Sequence, residues 1–131
     1  MRKKGFFLSI AFLLALPLCA ERRMVDCQNI AVNGGESPKW VSLLFEKHNE
    51  KKARKELEIG KDEKLFYQKT ESESLEFAKS LVRQSIYRDA LAGKENAVLN
   101  ALHTVAEFWI LEEDSETKSR VYTFYAVYAM P

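Results

Sequence analysis

Histidine, cysteine and proline are almost missing from this chain: two, two and three among 131 residues. The scarcity removes whole classes of chemistry. The cysteines stand alone at positions 19 and 27 and the histidines at 48 and 103. They form neither a CxxC pair nor an HExxH helix, so no metal site is expected. The five glycines build no GxSxG elbow, Walker loop or dinucleotide fingerprint. No nucleophile–base pair can be named, and the chain reads as a non-enzyme without a cofactor. An excess of one charge is missing as well. The 20 basic and 19 acidic residues nearly cancel, and setting aside Arg2, Lys3 and Lys4 of the leader leaves 17 against 19. That balance gives no electrostatic footprint for nucleic acid.

What the chain does have is a leader. Residues 1–20 run from a basic triplet through FFLSIAFLLALPL to a small-residue exit, the layout of a secretory signal peptide. Pro17 interrupts the apolar run, which is short for a bilayer-spanning helix. The expectation is export, to the periplasm or the outer membrane of a bacterium. Two processing routes stay open. Cleavage after Ala20 leaves a diffusible protein with one cysteine. Processing before Cys19 makes that residue the lipidation site and a membrane tether, although Leu18 is bulky where a small residue is expected. Under the first route Cys27 is a lone thiol in an oxidising compartment, either an intermolecular partner or a passive side chain in a flexible tail.

The rest is long enough for one small domain, and its 47% hydrophobic content is ordinary for a folded one. Residues 21–37 lack a sustained period and read as a linker or irregular lead-in, with Val25, Ile30 and Val32 as a candidate edge strand. Residues 38–131 read as a single α+β domain. Ser37-Pro38 starts a helix to about Asn49, with Trp40, Val41, Leu44, Phe45 and His48 on one stripe and a weak extension through Ala53 and Leu57. Lys47, Lys51, Lys52, Arg54 and Lys55 cluster nearby. Glu46, Glu50, Glu56 and Glu58 interleave with them, which favours a solvated face over a site for anionic headgroups. Lys64–Gln68 is rich in aromatics and reads as a strand, with Leu57 and Ile59 as a pairing arm. Thr70 and Glu73 read as a capping box opening a helix over residues 71–92, stopped by Gly93. Leu75, Ala78, Val82, Ile86 and Ala90 share its apolar face. Residues 94–103 read as a second, shorter helix.

Two apolar strands close the chain, Val105–Leu111 and Val121–Met130, joined by the charged EEDSETKSR. Neither face of the second strand is polar: Tyr122, Phe124, Ala126, Tyr128 and Met130 alternate with Val121, Thr123, Tyr125, Val127 and Ala129. Such a strand needs cover on both sides, from the long helix and from either the Trp40 helix or another subunit. The expected fold is therefore α+β: a small, mostly antiparallel sheet with a C-terminal hairpin, packed by one long and one or two shorter helices.

The order of these parts resembles a family of small bacterial envelope lipoproteins, typified by a twenty-kilodalton outer-membrane lipoprotein antigen and including flagellar-base relatives. The matching features are a cysteine near the leader's exit, Pro38-Lys39-Trp40, the ESLEFAKSLVRQSI helix, Trp109 in VAEFWIL and the run Tyr122 to Tyr128. The resemblance implies a non-catalytic envelope role through assembly, with other envelope proteins or with itself. Trp40, Phe108, Trp109, Tyr125 and Tyr128 are the candidate interaction or ligand face. The alternative is a carrier of a small hydrophobic ligand or lipid in the periplasm, with Phe108, Trp109, Tyr125 and Tyr128 lining a pocket between helix and sheet.

Overall fold

The computed structural model describes residues 21–28, 36–92 and 101–131. Along the chain run strand β1 (Arg22–Cys27), helix α1 (Lys39–Phe45), helix α2 (Glu50–Glu56), strand β2 (Lys64–Ser72), helix α3 (Leu75–Leu91), strand β3 (His103–Asp114) and strand β4 (Arg120–Met130). The strands form one sheet in the order β1-β3-β4-β2, antiparallel at every pairing. One long helix and two short ones pack on it, which is the α+β arrangement expected from the sequence.

The terminal hairpin occupies the middle of the sheet. β-Branched and aromatic residues fill β3 and β4 and suit a pleated surface. The pair runs from Glu113↔Arg120 through Trp109↔Phe124 to His103↔Ala129, with a register shift between Thr104 and Ala106. Asp114 builds the turn. Its Oδ1 accepts from the backbone N–H of Glu116 at 2.9 Å and of Thr117 at 3.0 Å. Those bonds, led by the one from Thr117, hold the Asp114 carboxyl below its ordinary range. Lys118 completes the reversal in a left-handed conformation, φ 62°.

Alternation along β4 now has two covers. Phe124, Ala126, Tyr128 and Met130 face α3, which lays Ala78, Val82, Ile86 and Ala90 on them; Phe66 of β2 and Trp109 of β3 join this cluster. Val127 faces the other way, with Leu65, Phe108 and Cys27, under Trp40, Val41 and Leu44 of α1 and Ala53 of α2. The Trp40 helix is thus the second cover, and no second subunit is required for it. Burying Val82 and Ile86 fully stabilises the helix–sheet contact by about 1.5–3 kcal/mol each.

Helix α3 starts later than the capping-box reading placed it. Thr70, Glu71 and Ser72 pair with Phe124, Thr123 and Tyr122 as the end of β2, so ladder bonds hold them extended. The cap is Ser74, whose Oγ accepts from the N–H of Phe77 at 3.2 Å. An ion pair pins the helix to the sheet. Arg83 reaches Glu107 of β3 at 3.1 Å, and its guanidinium lies 5.8 Å from the Phe124 ring centroid.

The helix expected from Pro38 to Asn49 ends at Phe45. His48 is exposed and turns the chain at φ 51°, away from the stripe expected for it. Asn49 then caps α2, accepting at Oδ1 from the N–H of Lys52 at 3.1 Å. Leu57 is the C-cap of α2 and Ile59 lies in the following loop, so neither pairs with β2 as expected. The lead-in is structured where it starts. Its residues 22–27 form β1, which contains Val25 and pairs with β3 from Arg22↔Asp114 to Cys27↔Ile110. Ile30 and Val32 lie outside the described residues, as do Gly93 and all but the last three positions of the helix expected at 94–103. Of those three, His103 opens β3.

Candidate functional site

The two sheet faces decide where the expected site residues go. Trp40, Phe108 and Tyr125 belong to the face under α1 and α2. Tyr128 and Trp109 belong to the face under α3. The five therefore do not converge, and Phe108, Trp109, Tyr125 and Tyr128 cannot line one pocket between helix and sheet. The cause is the period of two along a strand: Phe108 and Trp109 are neighbours in sequence and point oppositely.

Each group works as core. Phe45, at the end of α1, sets its ring edge against Tyr67 and Tyr125 at 5.5 and 5.2 Å, and Phe108 stacks on Tyr125 at 6.4 Å. Burial, then Glu112, Glu46 and Glu71, raise the Tyr125 hydroxyl above its ordinary pKa, so it stays a neutral phenol. On the other face Trp109 meets Tyr122 edge-on at 5.6 Å.

Cys27 is also core. Only 3% of it is exposed, and it packs in the cluster beneath α1. Burial, then the Asp26 carboxylate, raise its thiol pKa. A passive place in a flexible tail is thus not its situation in this fold, because β1 pairing with β3 carries the side chain inward. Cys19 lies outside the described residues. The described histidines are both exposed. His103 sits 3.5 Å from Glu63 through Nε2 and 3.2 Å from the Ala101 carbonyl oxygen through Nδ1. Among the described residues no three His, Cys, Asp or Glu side chains lie close enough to hold a metal ion, and no helix is long and apolar enough to cross a membrane.

Two features of the surface remain. The first is a pair of open grooves on the outer side of α1 and α2. One, of about 460 Å³, is lined by Lys39, Leu43, Lys52, Lys55 and Glu56. The other, of about 300 Å³, is lined by Lys39, Ser42, Leu43 and Lys47. Both are open to solvent, with lysine side chains around Leu43 as their walls.

The second feature is the outward side of α3. Phe77, Leu81, Tyr87 and Leu91 stay exposed at 57%, 38%, 44% and 40%. At about 100° per residue, Phe77, Leu81, Gln84, Arg88 and Leu91 fall within ~40° of one line, roughly opposite the buried Ala78–Val82–Ile86–Ala90 line. Tyr87 flanks them, its ring edge-on to Tyr128 at 6.2 Å. The helix thus carries apolar side chains on its outward side too, interrupted by Gln84 and Arg88, and these have no cover among the described residues. Attention to the inward stripe hides this in the sequence. The signal was there: apolar residues at 77, 81 and 91 share a helical line of their own. No family model matches the chain, and neither a curated protein nor a solved structure shows significant similarity to it.

Proposed function

We propose that this chain is an exported, non-enzymatic protein of the bacterial cell envelope that acts as a structural or protein-interaction module. The observation that carries the reading is the leader of residues 1–20, with its basic triplet, apolar run and small-residue exit. The likeness of Pro38-Lys39-Trp40, Trp109 and Tyr122 to Tyr128 to the envelope lipoproteins supports it. So does the surface: the large apolar side chains left outside concentrate along one side of α3, where a partner rather than a substrate would sit.

If Cys19 is acylated, the tether is short. Two residues, Ala20 and Glu21, separate it from Arg22, the first residue of β1, so three steps of ~3.6 Å bring the sheet within about 11 Å of the lipid attachment. Arg22 pairs with Asp114 beside the hairpin turn. That edge of the molecule would lie nearest the headgroups, leaving α3 free along its length for a partner.

Fractionation of the producing bacterium with intact-mass measurement of the protein tests the proposal. The expected result is a chain in the envelope fraction that begins at Cys19 with acyl mass added, or at Glu21 without it. Recovery of the full chain with Met1 in the cytosol would overturn it.

A further inference from the structure

We infer that the lysine-lined outer side of α1 and α2 is a docking surface for an anionic phospholipid bilayer. The inference deepens the envelope reading by naming what the protein meets there. Only the cellular setting rests on that reading, since binding to vesicles is measured without the leader.

The fold undoes the interleaving of charges along the sequence. The two grooves adjoin, because Lys39 and Leu43 line both; Lys52, Lys55 and Glu56 complete one, Ser42 and Lys47 the other. All four lysines are exposed, and among the described residues none of them makes an ion pair. The acids that alternate with them turn elsewhere. Glu50 pairs with Arg54 at 3.6 Å. Burial and then Glu50 raise the Tyr67 hydroxyl above its ordinary pKa, which puts that carboxylate on the sheet side. Glu46 accepts from the Ser42 hydroxyl at 3.3 Å and is among the acids that act on Tyr125 of the sheet. Glu58 follows the C-cap of α2 in a left-handed conformation, φ 57°. Glu56 alone lines a groove, so four lysines stand there against one carboxylate.

The shape of the patch selects the occupant. The grooves are open and their lysines exposed, so a small anion finds no desolvated cradle. Lysines spread over two helices around one half-buried leucine suit an extended anionic surface, which each can reach with its own flexible stem. Each net positive charge near such a surface strengthens partitioning about fivefold, so three should give roughly a hundredfold. From residue 21 on the chain has 17 basic and 19 acidic residues, and its net charge alone would repel an anionic bilayer. Attraction therefore requires the segregation described. Since α1 and α2 cover one sheet face and α3 the other, a bilayer against α1 and α2 leaves α3 pointing away from it. An acyl chain on Cys19 would raise occupancy of the surface without any new contact.

Co-sedimentation of the chain from Glu21 on, which holds every described residue, with large unilamellar vesicles tests this. Phosphatidylcholine vesicles with about a third phosphatidylglycerol are compared with phosphatidylcholine alone at about 50 mM NaCl. The expected result is roughly hundredfold stronger binding to the anionic vesicles, lost at about 1 M NaCl, where the Debye length shrinks to ~3 Å. Lys39→Glu with Lys52→Glu places both carboxylates in the first turn of a helix, where they complement the dipole. Circular dichroism should show the fold kept, and binding should fall at least about tenfold. Lys79→Glu with Arg88→Glu makes the same change in net charge on α3 and should stay within about threefold of the unaltered chain. Equal binding to the two kinds of vesicle would overturn the inference, and so would equal weakening by the two double variants. Displacement from the vesicles by inorganic phosphate, beyond that by NaCl at matched ionic strength, would overturn it as well, because it would mark a discrete site for a small anion. None of these outcomes touches the envelope reading, which stands or falls on the N-terminal mass.

Discussion

Helix α3 places two branched aliphatic side chains in opposite situations, five residues apart. Ile86 is fully buried against the sheet and Leu81 is 38% exposed on the outward line. Replacing each with alanine separates the packing face from the surface face. Ile86→Ala removes three carbons, worth about 0.8 kcal/mol apiece in transfer, and leaves a cavity beneath Val82 and Ala90 that close-packed neighbours fill only partly. The expected loss is about 3–4 kcal/mol, a large share of the roughly 5–15 kcal/mol that holds a small domain folded. Leu81→Ala loses little burial and gains slightly in helix propensity, so the expected change is within about 0.5 kcal/mol. The assay is urea unfolding followed by far-UV circular dichroism, at a few micromolar so that self-association does not contribute. With a urea dependence of about 1.5 kcal/mol per molar, Ile86→Ala should move the midpoint down by roughly 2 M while Leu81→Ala leaves it nearly unmoved. Equal shifts for the two variants, or a shift under about 0.5 M for Ile86→Ala, would refute the placement of α3 on the sheet.

Three further outcomes follow from the side-chain environments. Cys27, buried and with a raised thiol pKa, should resist alkylation in the native protein near neutral pH and react promptly in denaturant; rapid native labelling would place it outside. Arg83 and Glu107 are only partly buried, so a double-mutant cycle with Arg83→Ala and Glu107→Ala should give a coupling of about 0.5–1 kcal/mol, small despite the close geometry. Glu113, held below its usual pKa first by the hydrogen bond from Arg120, and Asp114, held down by the turn N–H groups, contribute stability that is present above the unfolded-state carboxylate pKa. It is lost as pH falls through their lower folded values. Unfolding midpoints should therefore drop below about pH 4, and Asp114→Asn should flatten that acid limb.

Much of the fold was legible because the C-terminal strands carry their own instructions. A ten-residue run apolar on both faces has to be interior, and the i, i+4 spacing of Ala78, Val82, Ile86 and Ala90 names the helix face that covers it. Boundaries were harder. The Thr70–Glu73 capping box is a true local preference, but pairing of Thr70 to Ser72 with β4 overrides it, and a local reading has no access to a partner fifty residues away. The same holds for β1, whose RRMVDC has no alternation strong enough to announce a strand; β3 supplies the missing ladder. The candidate site was least legible. Aromatic residues drew attention to Phe108, Trp109, Tyr125 and Tyr128, yet large rings at a sheet centre are first of all core. The side chains left for a partner are those on the line that the core does not use.

Hydrogen exchange across β4 tests the centre of this picture most directly. With β2 and β3 paired on its two edges and helices on its two faces, the amides of residues 121–130 should be the slowest in the molecule, exchanging only on global unfolding. Exchange of that segment as fast as the exposed turn at 115–119 would contradict the arrangement.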